Sequence, residues 1–352
     1  RDYYASRGLG DVYKRQEVNY LKTQTRNYLI DNSKGLLIFL VVLGHSLEFI
    51  RKDYEVARLL YVFIYEFHMP VFVFISGYLS KNVEKGRKNA VRNFLTPFLL
   101  FNIIWNLITL VGPLFLKGEF TALPSEQTFS FFTPGWALWY IFAMFLWKIL
   151  LPDLLKFKNI FILSIIAGIF VKLSGEFGSY MALSRTITFA PFFLAGYYSS
   201  EEKLKRFRKF TRFNILNKLP SIIIVIIGVL IALIFVNYSN IADEFFWADR
   251  SYSNFNIEIF TGILLYIAVY IIGFAFVYVF INLMPDKLTF LSKIGKNTLS
   301  VYFLHTYFIG SILGLTSLMS SNLGKLLALI VGSLIVTFIL SRDGVALSLI
   351  HI

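Results

Sequence analysis

Three histidines of this sequence lie within long apolar stretches, where an ionisable side chain is costly. His45 lies in KGLLIFLVVLGHSLEF, His68 in FHMPVFVFISGYL and His305 in GKNTLSVYFLHTYF. An ionisable residue within a membrane span is a functional candidate, because a span without a function for it rarely keeps one. The alternative for each histidine is a structural hydrogen bond to a neighbouring helix.

The spacing of the first stretch places His45 and Lys34 on one helix face. They are eleven residues apart, which is only about 20° from whole turns of a helix. Asp31 precedes Lys34 by three residues and Glu48 follows His45 by three, so each carboxylate can reach its basic neighbour. A carboxylate fixes the tautomer of an imidazole and raises its basicity, which favours His45 as a general base.

The stripe from Lys34 to His45 suits a long substrate with an anionic head. The rise along the helix is roughly 16 Å, with Lys34 at the cytoplasmic edge and His45 near the middle of the span. A coenzyme A thioester has this shape. Its phosphate can contact Lys34, and its pantetheine arm can bring the thioester near His45.

The composition is that of a multi-pass membrane protein. Of the 352 residues, 57% are hydrophobic and 16% are charged, and the mean hydropathy is +0.65. We predict an all-α fold with about ten transmembrane helices, because a span must satisfy its own backbone hydrogen bonds. The predicted spans are residues 35–50, 57–79, 93–116, 135–151, 159–175, 183–199, 219–237, 258–283, 298–318 and 323–341.

Lysine and arginine predict the orientation. With the N-terminus inside, 26 of the 34 basic residues fall in cytoplasmic segments, as the positive-inside rule requires. The net charge of +13 therefore needs no nucleic acid. The basic run at residues 201–213 is interpreted as a topology signal, the alternative being contact with phosphates or anionic lipid. The absence of cysteine excludes disulfides, thiolate metal sites and a cysteine acyl intermediate.

Both ends of the sequence look foreign. Residues 1–16 and 341–352 resemble translated sequencing-adapter read-through, so we expect both segments to be non-native and residues 17–340 to form the transmembrane domain. His351 accordingly receives no role. The first apolar run has no small-residue cleavage site after it, and we expect it to remain as a signal anchor.

Five motifs, in this order, resemble the membrane acyltransferase-3 family and most nearly its fucose 4-O-acetylase-like branch. They are KGLLIFLVVLGH, FHMPVFVFISGYL, WALWYIF, SRTITFAPFFLAGYY and GKNTLSVYFLHTYF, and the resemblance covers roughly residues 28–341. Many members carry arginine where this chain has Lys34. The resemblance implies acetyl-CoA as the donor and a cell-surface or lipid-linked glycan hydroxyl as the acceptor. We expect a bacterial plasma (inner) membrane protein that requires no metal and no nucleic acid.

The resemblance also assigns expected roles. It makes His45 the leading catalytic residue, as general base or acyl carrier, with Glu48 and His68 beside it. Lys34, paired with Asp31, is expected on the donor side, and Arg185 and His305 match motif positions and are expected to contact the substrate.

Aromatic residues offer two interpretations. Trp136, Trp139 and Tyr140 form either an interfacial belt or a surface on which a sugar stacks. The sugar-stacking interpretation places Trp139 and Tyr140 among the substrate-binding residues. It applies equally to the aromatic run at residues 245–247 in the loop at residues 237–257.

Other functions remain open. A transporter or flippase of lipid-linked sugar would also use intramembrane histidines, but such proteins often show inverted repeats with broken helices, and none is evident in the sequence. A glycan polymerase typically carries a large outer loop, and the longest one here has about 20 residues. The other major family of membrane-bound O-acyltransferases is less consistent with a histidine in the first span.

Overall fold

The computed structural model describes residues 26–117, 130–178, 180–211 and 218–350. This part of the chain is helical and contains no strand, which confirms the predicted all-α class. Of the two segments predicted to be foreign, residues 1–16 lie outside the described residues. The segment at residues 341–352 contains a short helix that ends at Ile350.

Helices occupy the positions of all ten predicted spans. Within the described residues, eight are long and apolar enough to cross a membrane, whereas the fifth and sixth are shorter. The helices are α1 Tyr28–Leu47, α2 Glu55–Tyr65, α3 His68–Tyr78, α4 Val83–Lys88, α5 Thr96–Lys117, α6 Trp139–Leu154, α7 Ile160–Phe170, α8 Leu183–Tyr198, α9 Glu201–Thr211, α10 Leu219–Tyr238, α11 Ile259–Leu283, α12 Phe290–Lys296, α13 Thr298–Thr316, α14 Asn322–Leu340 and α15 Asp343–Ile350.

Helix α1 begins earlier than the sequence predicted. Asn27 caps it by accepting a hydrogen bond from the Ile30 amide, and a side-chain cap of this kind fixes the start of a helix. The helix ends at Leu47, so His45 lies in its last turn. His45 is therefore not near the middle of this helix, and its depth in the membrane stays a prediction.

The second span is two helices, α2 and α3, interrupted at Glu66 and Phe67. The interruption directly precedes His68. Pro70 lies in the first turn of α3 and has no N–H to donate to the carbonyl four residues earlier, at Glu66. Because the chain turns at this point, His68 becomes the first residue of α3.

Close backbone contact fixes α3 against α8. A Cβ atom added at Gly77 would lie 1.9 Å from the Phe193 carbonyl oxygen, and one added at Gly196 would lie 1.9 Å from the Phe74 carbonyl oxygen. Glycine permits this approach because it has no Cβ atom. The contact fixes the position of His68 relative to α8.

The connecting segments meet at two opposite ends of the bundle. At the end where α1 terminates, called the His45 end, Arg51 pairs with Asp243 of the α10–α11 loop at 2.6 Å, and Lys172 after α7 contacts the same loop. At the other end, the Lys34 end, Asn32 donates to the Pro285 carbonyl at 2.8 Å. The predicted orientation makes the His45 end extracytoplasmic.

Candidate active site

His45 and Glu48 form a hydrogen-bonded pair at the end of α1. The His45 Nδ1 and Glu48 Oε1 atoms are 2.8 Å apart, which confirms the contact predicted from their spacing. An ionised carboxylate only accepts hydrogen bonds, so the proton lies on Nδ1 and Nε2 keeps its lone pair. This tautomer makes Nε2 available to accept a proton or to attack a carbonyl.

Two further donors fix Glu48. The Tyr65 hydroxyl donates to Oε1 at 2.7 Å and Trp136 Nε1 donates to Oε2 at 3.0 Å. Together with His45, these donors hold the Glu48 side chain in one orientation.

The α10–α11 loop reaches this pair through aromatic residues. Trp247 Nε1 donates to the Tyr61 hydroxyl at 2.6 Å, and the Tyr61 ring stacks on the Tyr65 ring with centroids 4.0 Å apart. Tyr65 in turn donates to Glu48. The position of the loop is thus connected to the orientation of the carboxylate.

A cavity of about 200 Å³ lies over His45. Charged, imidazole and indole side chains from five parts of the chain meet there. It is lined by Val41, His45, Glu48, Tyr65, His68, Met69, Pro134, Trp136, Ala137, Trp139, Arg185, Phe189, Phe246, Trp247, Asp249 and Tyr302. Among the described residues, no group of three or more histidine, aspartate or glutamate side chains is placed to hold a metal ion.

The other two intramembrane histidines lie close to His45. His68 lines the same cavity and its Nδ1 donates to the Ile64 carbonyl at 2.8 Å. His305 is fully buried, its ring centroid lies 5.4 Å from that of His45, and its Nδ1 donates to the Tyr302 carbonyl at 2.8 Å. His305 is not among the cavity-lining residues, so it packs against the His45 ring rather than facing the cavity.

Arg185 lines the same cavity as His45. Its Nη2 donates to Asp249 Oδ2 at 2.8 Å and its Nε donates to the Trp247 carbonyl at 2.9 Å. The guanidinium also lies 5.3 Å from the ring centroid of Trp139, a distance typical of a cation–π contact. Arg185 and Trp139 therefore share a cavity with His45, and their contact with a substrate stays a prediction.

Four predicted site residues, His305 included, do not line the cavity. Tyr140 is buried beneath it, with its hydroxyl 2.6 Å from the Ser76 hydroxyl. Lys34 and Asp31 pair at 3.3 Å, as their spacing predicted, but near the other end of α1. Asp31 also accepts from Arg26 Nε at 2.5 Å. At the Lys34 end of α1, the Asp31 carboxylate thus pairs with two cations, Arg26 and Lys34.

Several cavity residues were missing from the predicted site, among them Tyr65 and Asp249. Tyr65 carried no signal beyond its place in an apolar run. Asp249 belongs to the acidic and aromatic segment at residues 242–252, which pointed to an unusual loop but not to this carboxylate. Only the folded chain shows that both residues face the same cavity as His45.

The chain belongs to a known family of acyltransferases. The family model Acyl_transf_3, described as an acyltransferase domain, matches residues 27–342. This confirms the family resemblance of the sequence motifs. The assignment to the fucose 4-O-acetylase-like branch remains a prediction.

Two curated relatives match part of the chain. Nodulation protein NolL of Mesorhizobium japonicum is 32% identical over 134 residues, covering 35% of this chain and 35% of that protein. Nodulation protein NolL of Sinorhizobium fredii is 32% identical over 129 residues, covering 34% of this chain and 35% of that protein. The match spans about a third of the length of these relatives. No solved structure matches the chain significantly.

Proposed function

We propose that this membrane acyltransferase moves an acetyl group from acetyl-CoA to a hydroxyl of a cell-surface or lipid-linked glycan in a bacterial plasma membrane. Family membership supplies the reaction class. The observation that carries the proposal is the His45–Glu48 pair, 2.8 Å apart, in a cavity lined by indole rings and an arginine. The family match favours acyl transfer over the transporter and polymerase alternatives.

The pair supports acid–base catalysis. In this route His45 Nε2 takes the proton of the acceptor hydroxyl while the oxygen of that hydroxyl attacks the thioester carbonyl. The carbon–sulfur bond then breaks, and the imidazolium returns its proton to the departing thiolate. Glu48 stabilises the imidazolium, as a carboxylate does beside other catalytic histidines. A positioned base of this kind typically contributes about 10²–10⁴-fold.

A two-step route uses the same atoms. His45 Nε2 attacks the thioester carbon, the carbon–sulfur bond breaks, and the coenzyme leaves as a thiolate beside an acetyl-imidazolium whose charge Glu48 offsets. The acceptor hydroxyl oxygen then attacks the acetyl carbon, the carbon–nitrogen bond to Nε2 breaks, and the hydroxyl proton passes to the thiolate. In both routes His68 presents an Nε2 lone pair to the cavity, because its Nδ1 proton is used by the Ile64 carbonyl. His68 can therefore accept a hydrogen bond from the acceptor.

The volume of the cavity indicates that the whole donor does not bind within it. Its volume of about 200 Å³ is below the ~300–1,000 Å³ of pockets for drug-sized ligands. It suits a sugar ring or an acetyl thioester end rather than a whole coenzyme. The anionic part of the donor then lies elsewhere, and the cations around Asp31, including Lys34, are the site that we assign to it.

The test follows labelled acetyl groups. The protein, purified into lipid nanodiscs, is incubated with radiolabelled acetyl-CoA and candidate glycans, and the label is located by mass spectrometry and scintillation counting. We expect label on the glycan with wild type and almost none with His45→Ala or His45→Gln, since glutamine cannot take a proton. His351→Gln, at a histidine without a role, is the matched control.

The outcomes separate the two interpretations of His45. Near-normal transfer by well-folded His45→Gln protein would exclude His45 as base or acyl carrier. A structural histidine would instead show rescue by glutamine, or a loss of thermal stability with alanine that exceeds the loss of activity. Label on no glycan at all would refute the proposed function.

A further inference from the structure

One carboxylate oxygen of Asp249 has no hydrogen-bond partner among the described residues. Its Oδ2 accepts from Arg185 at 2.8 Å, whereas its Oδ1 is buried and accepts no hydrogen bond from the described residues. The nearest other cation, Arg250 Nε, lies 3.9 Å away, beyond hydrogen-bond distance. The same carboxylate lines the cavity over His45.

An unsatisfied buried oxygen of this kind is costly. Buried polar atoms almost always have a partner, and one without a partner carries the full cost of desolvation. A carboxylate oxygen can only accept, so the missing partner is an O–H or N–H donor. The cavity is the place from which such a donor can arrive.

The loop is held so that Asp249 cannot easily turn away. Arg185 donates to the carbonyl of Trp247 as well as to the Asp249 carboxylate. Between these two residues, Ala248 has a left-handed backbone with φ 58°, and its carbonyl accepts from buried Lys172. Contacts before, at and after Ala248 thus fix the direction of the carboxylate.

We propose that Asp249 is an acceptor-binding residue that takes a hydrogen bond from a second hydroxyl of the sugar while His45 faces the reacting hydroxyl. This inference rests on the proposed function and deepens it. It requires an acceptor with at least two hydroxyl groups on one small ring. A simple alcohol would leave Oδ1 unpaired.

The charges lining the cavity favour an uncharged ring. Glu48 and Asp249 are acidic, and the one lining cation, Arg185, is already paired with Asp249. Lys172 lies behind the loop with its ammonium group on the Ala248 carbonyl and the Ser184 hydroxyl. An acceptor carrying its own carboxylate would meet an excess of negative charge. The acceptor class is therefore a neutral, polyhydroxylated sugar.

The first experiment measures binding without the donor. Saturation-transfer NMR of the protein in nanodiscs compares methyl β-D-glucopyranoside with methyl β-D-glucopyranosiduronate, which differ only in the carboxylate. We expect wild type to bind the neutral glycoside about 10-fold or more tightly than the uronate. We expect one of the four singly deoxygenated methyl glucosides to lose about 10- to 100-fold, as a hydroxyl bonded to a charged group would.

The second experiment uses Asp249→Ala, which leaves Arg185 Nη2 unpaired in the cavity. We expect this variant to bind the neutral glycoside about 10- to 100-fold more weakly and to shift its preference toward the uronate. Asp53→Ala, an exposed acid at the same end of the bundle, controls for net charge and should keep the wild-type preference. Thermal unfolding of both variants verifies folding.

The results distinguish this inference from the proposed function. Equal binding of the two glycosides by wild type, or an unchanged preference in folded Asp249→Ala, would overturn the role of Asp249. If Asp249→Ala does not fold, the deoxygenated series on wild type decides, and equal binding of all four analogues refutes the inference. If the protein transfers acetyl groups to glycans and Asp249→Ala does so equally well, only the inference about Asp249 is refuted. If sugar binding depends on Asp249 but no acetyl transfer occurs, the proposed reaction is refuted and the sugar-binding site is supported.

Discussion

Glu48→Gln tests the chemistry of the site with a change of one atom. The wild-type carboxylate accepts from three donors: His45 Nδ1, the Tyr65 hydroxyl and Trp136 Nε1. The glutamine amide has one oxygen and one NH₂ group. If its NH₂ faces His45, the imidazole must carry its proton on Nε2 and loses its basic lone pair. If its NH₂ faces Trp136, the NH₂ group and Trp136 Nε1 are both hydrogen-bond donors, and their contact is repulsive.

The expected loss follows from this tautomer change. The corresponding replacement of aspartate by asparagine in serine protease triads lowers kcat by about 10⁴ through the wrong tautomer, and removal of a general base costs at least about 10²-fold. We expect a fall in kcat between these limits, which corresponds to about 3–5 kcal/mol at 1.36 kcal/mol per tenfold change. Donor affinity should change little, because the cations assigned to the donor lie at the other end of α1.

The assay is single-turnover acetyl transfer in nanodiscs, with Glu55→Gln, an exposed glutamate at the same end, as the matched control. The double variant His45→Gln, Glu48→Gln should be no slower than His45→Gln alone, because residues that act as a unit are not additive. A Glu48→Gln enzyme with wild-type kcat would refute the reasoning. So would a double variant slowed by the product of the two single effects.

Two further predictions concern the donor and the topology. Lys34→Glu should weaken acetyl-CoA binding severely by charge reversal, whereas Lys34→Arg and the exposed control Lys85→Glu should retain much of it; equal affinities in calorimetry would exclude Lys34 from the donor site. Reporter fusions after Lys88 and after Lys209 should read cytoplasmic and a fusion after Asn240 should read external, because of the uneven distribution of basic residues. An external signal from the fusion after Lys209 would contradict the ten-span arrangement.

The sequence was sufficient for contacts that depend on local spacing. The pairs Asp31–Lys34 and His45–Glu48 are three residues apart, and helix geometry alone brings them together. Eight of the ten predicted spans were also within reach, because each is a long apolar run with little charge. The ends of α1 were not predicted correctly. The helix begins after the Asn27 cap, before the apolar run, and it ends at Leu47, within that run, so the apolar pattern indicated neither end.

The remaining parts of the site depend on contacts between distant segments. Tyr65 follows Glu48 by 17 positions, and Trp247 is 186 positions from Tyr61. Arg51 meets Asp243 across 192 positions. No periodicity links such residues, because their proximity is decided by how the helices pack and by where the α10–α11 loop folds back. The orientation of Glu48 and the exposure of Asp249 to the cavity belong to this class.

The position of His45 at the end of α1 changes where the two substrates must meet. A base in the middle of the span would have required the sugar to enter the bilayer, where each unpaired hydroxyl is costly. Under the proposed function, a sugar at the His45 end would meet Asp249, Arg185 and the α10–α11 loop, which line the cavity and would supply hydrogen bonds as the sugar leaves water. The proposed donor, held by the cations near Lys34, would then extend its thioester along most of the length of α1. An acetyl group on an extended, uncharged pantetheine arm is the part of either proposed substrate that would make this crossing at least cost, because the proposed phosphate contacts stay at the Lys34 end.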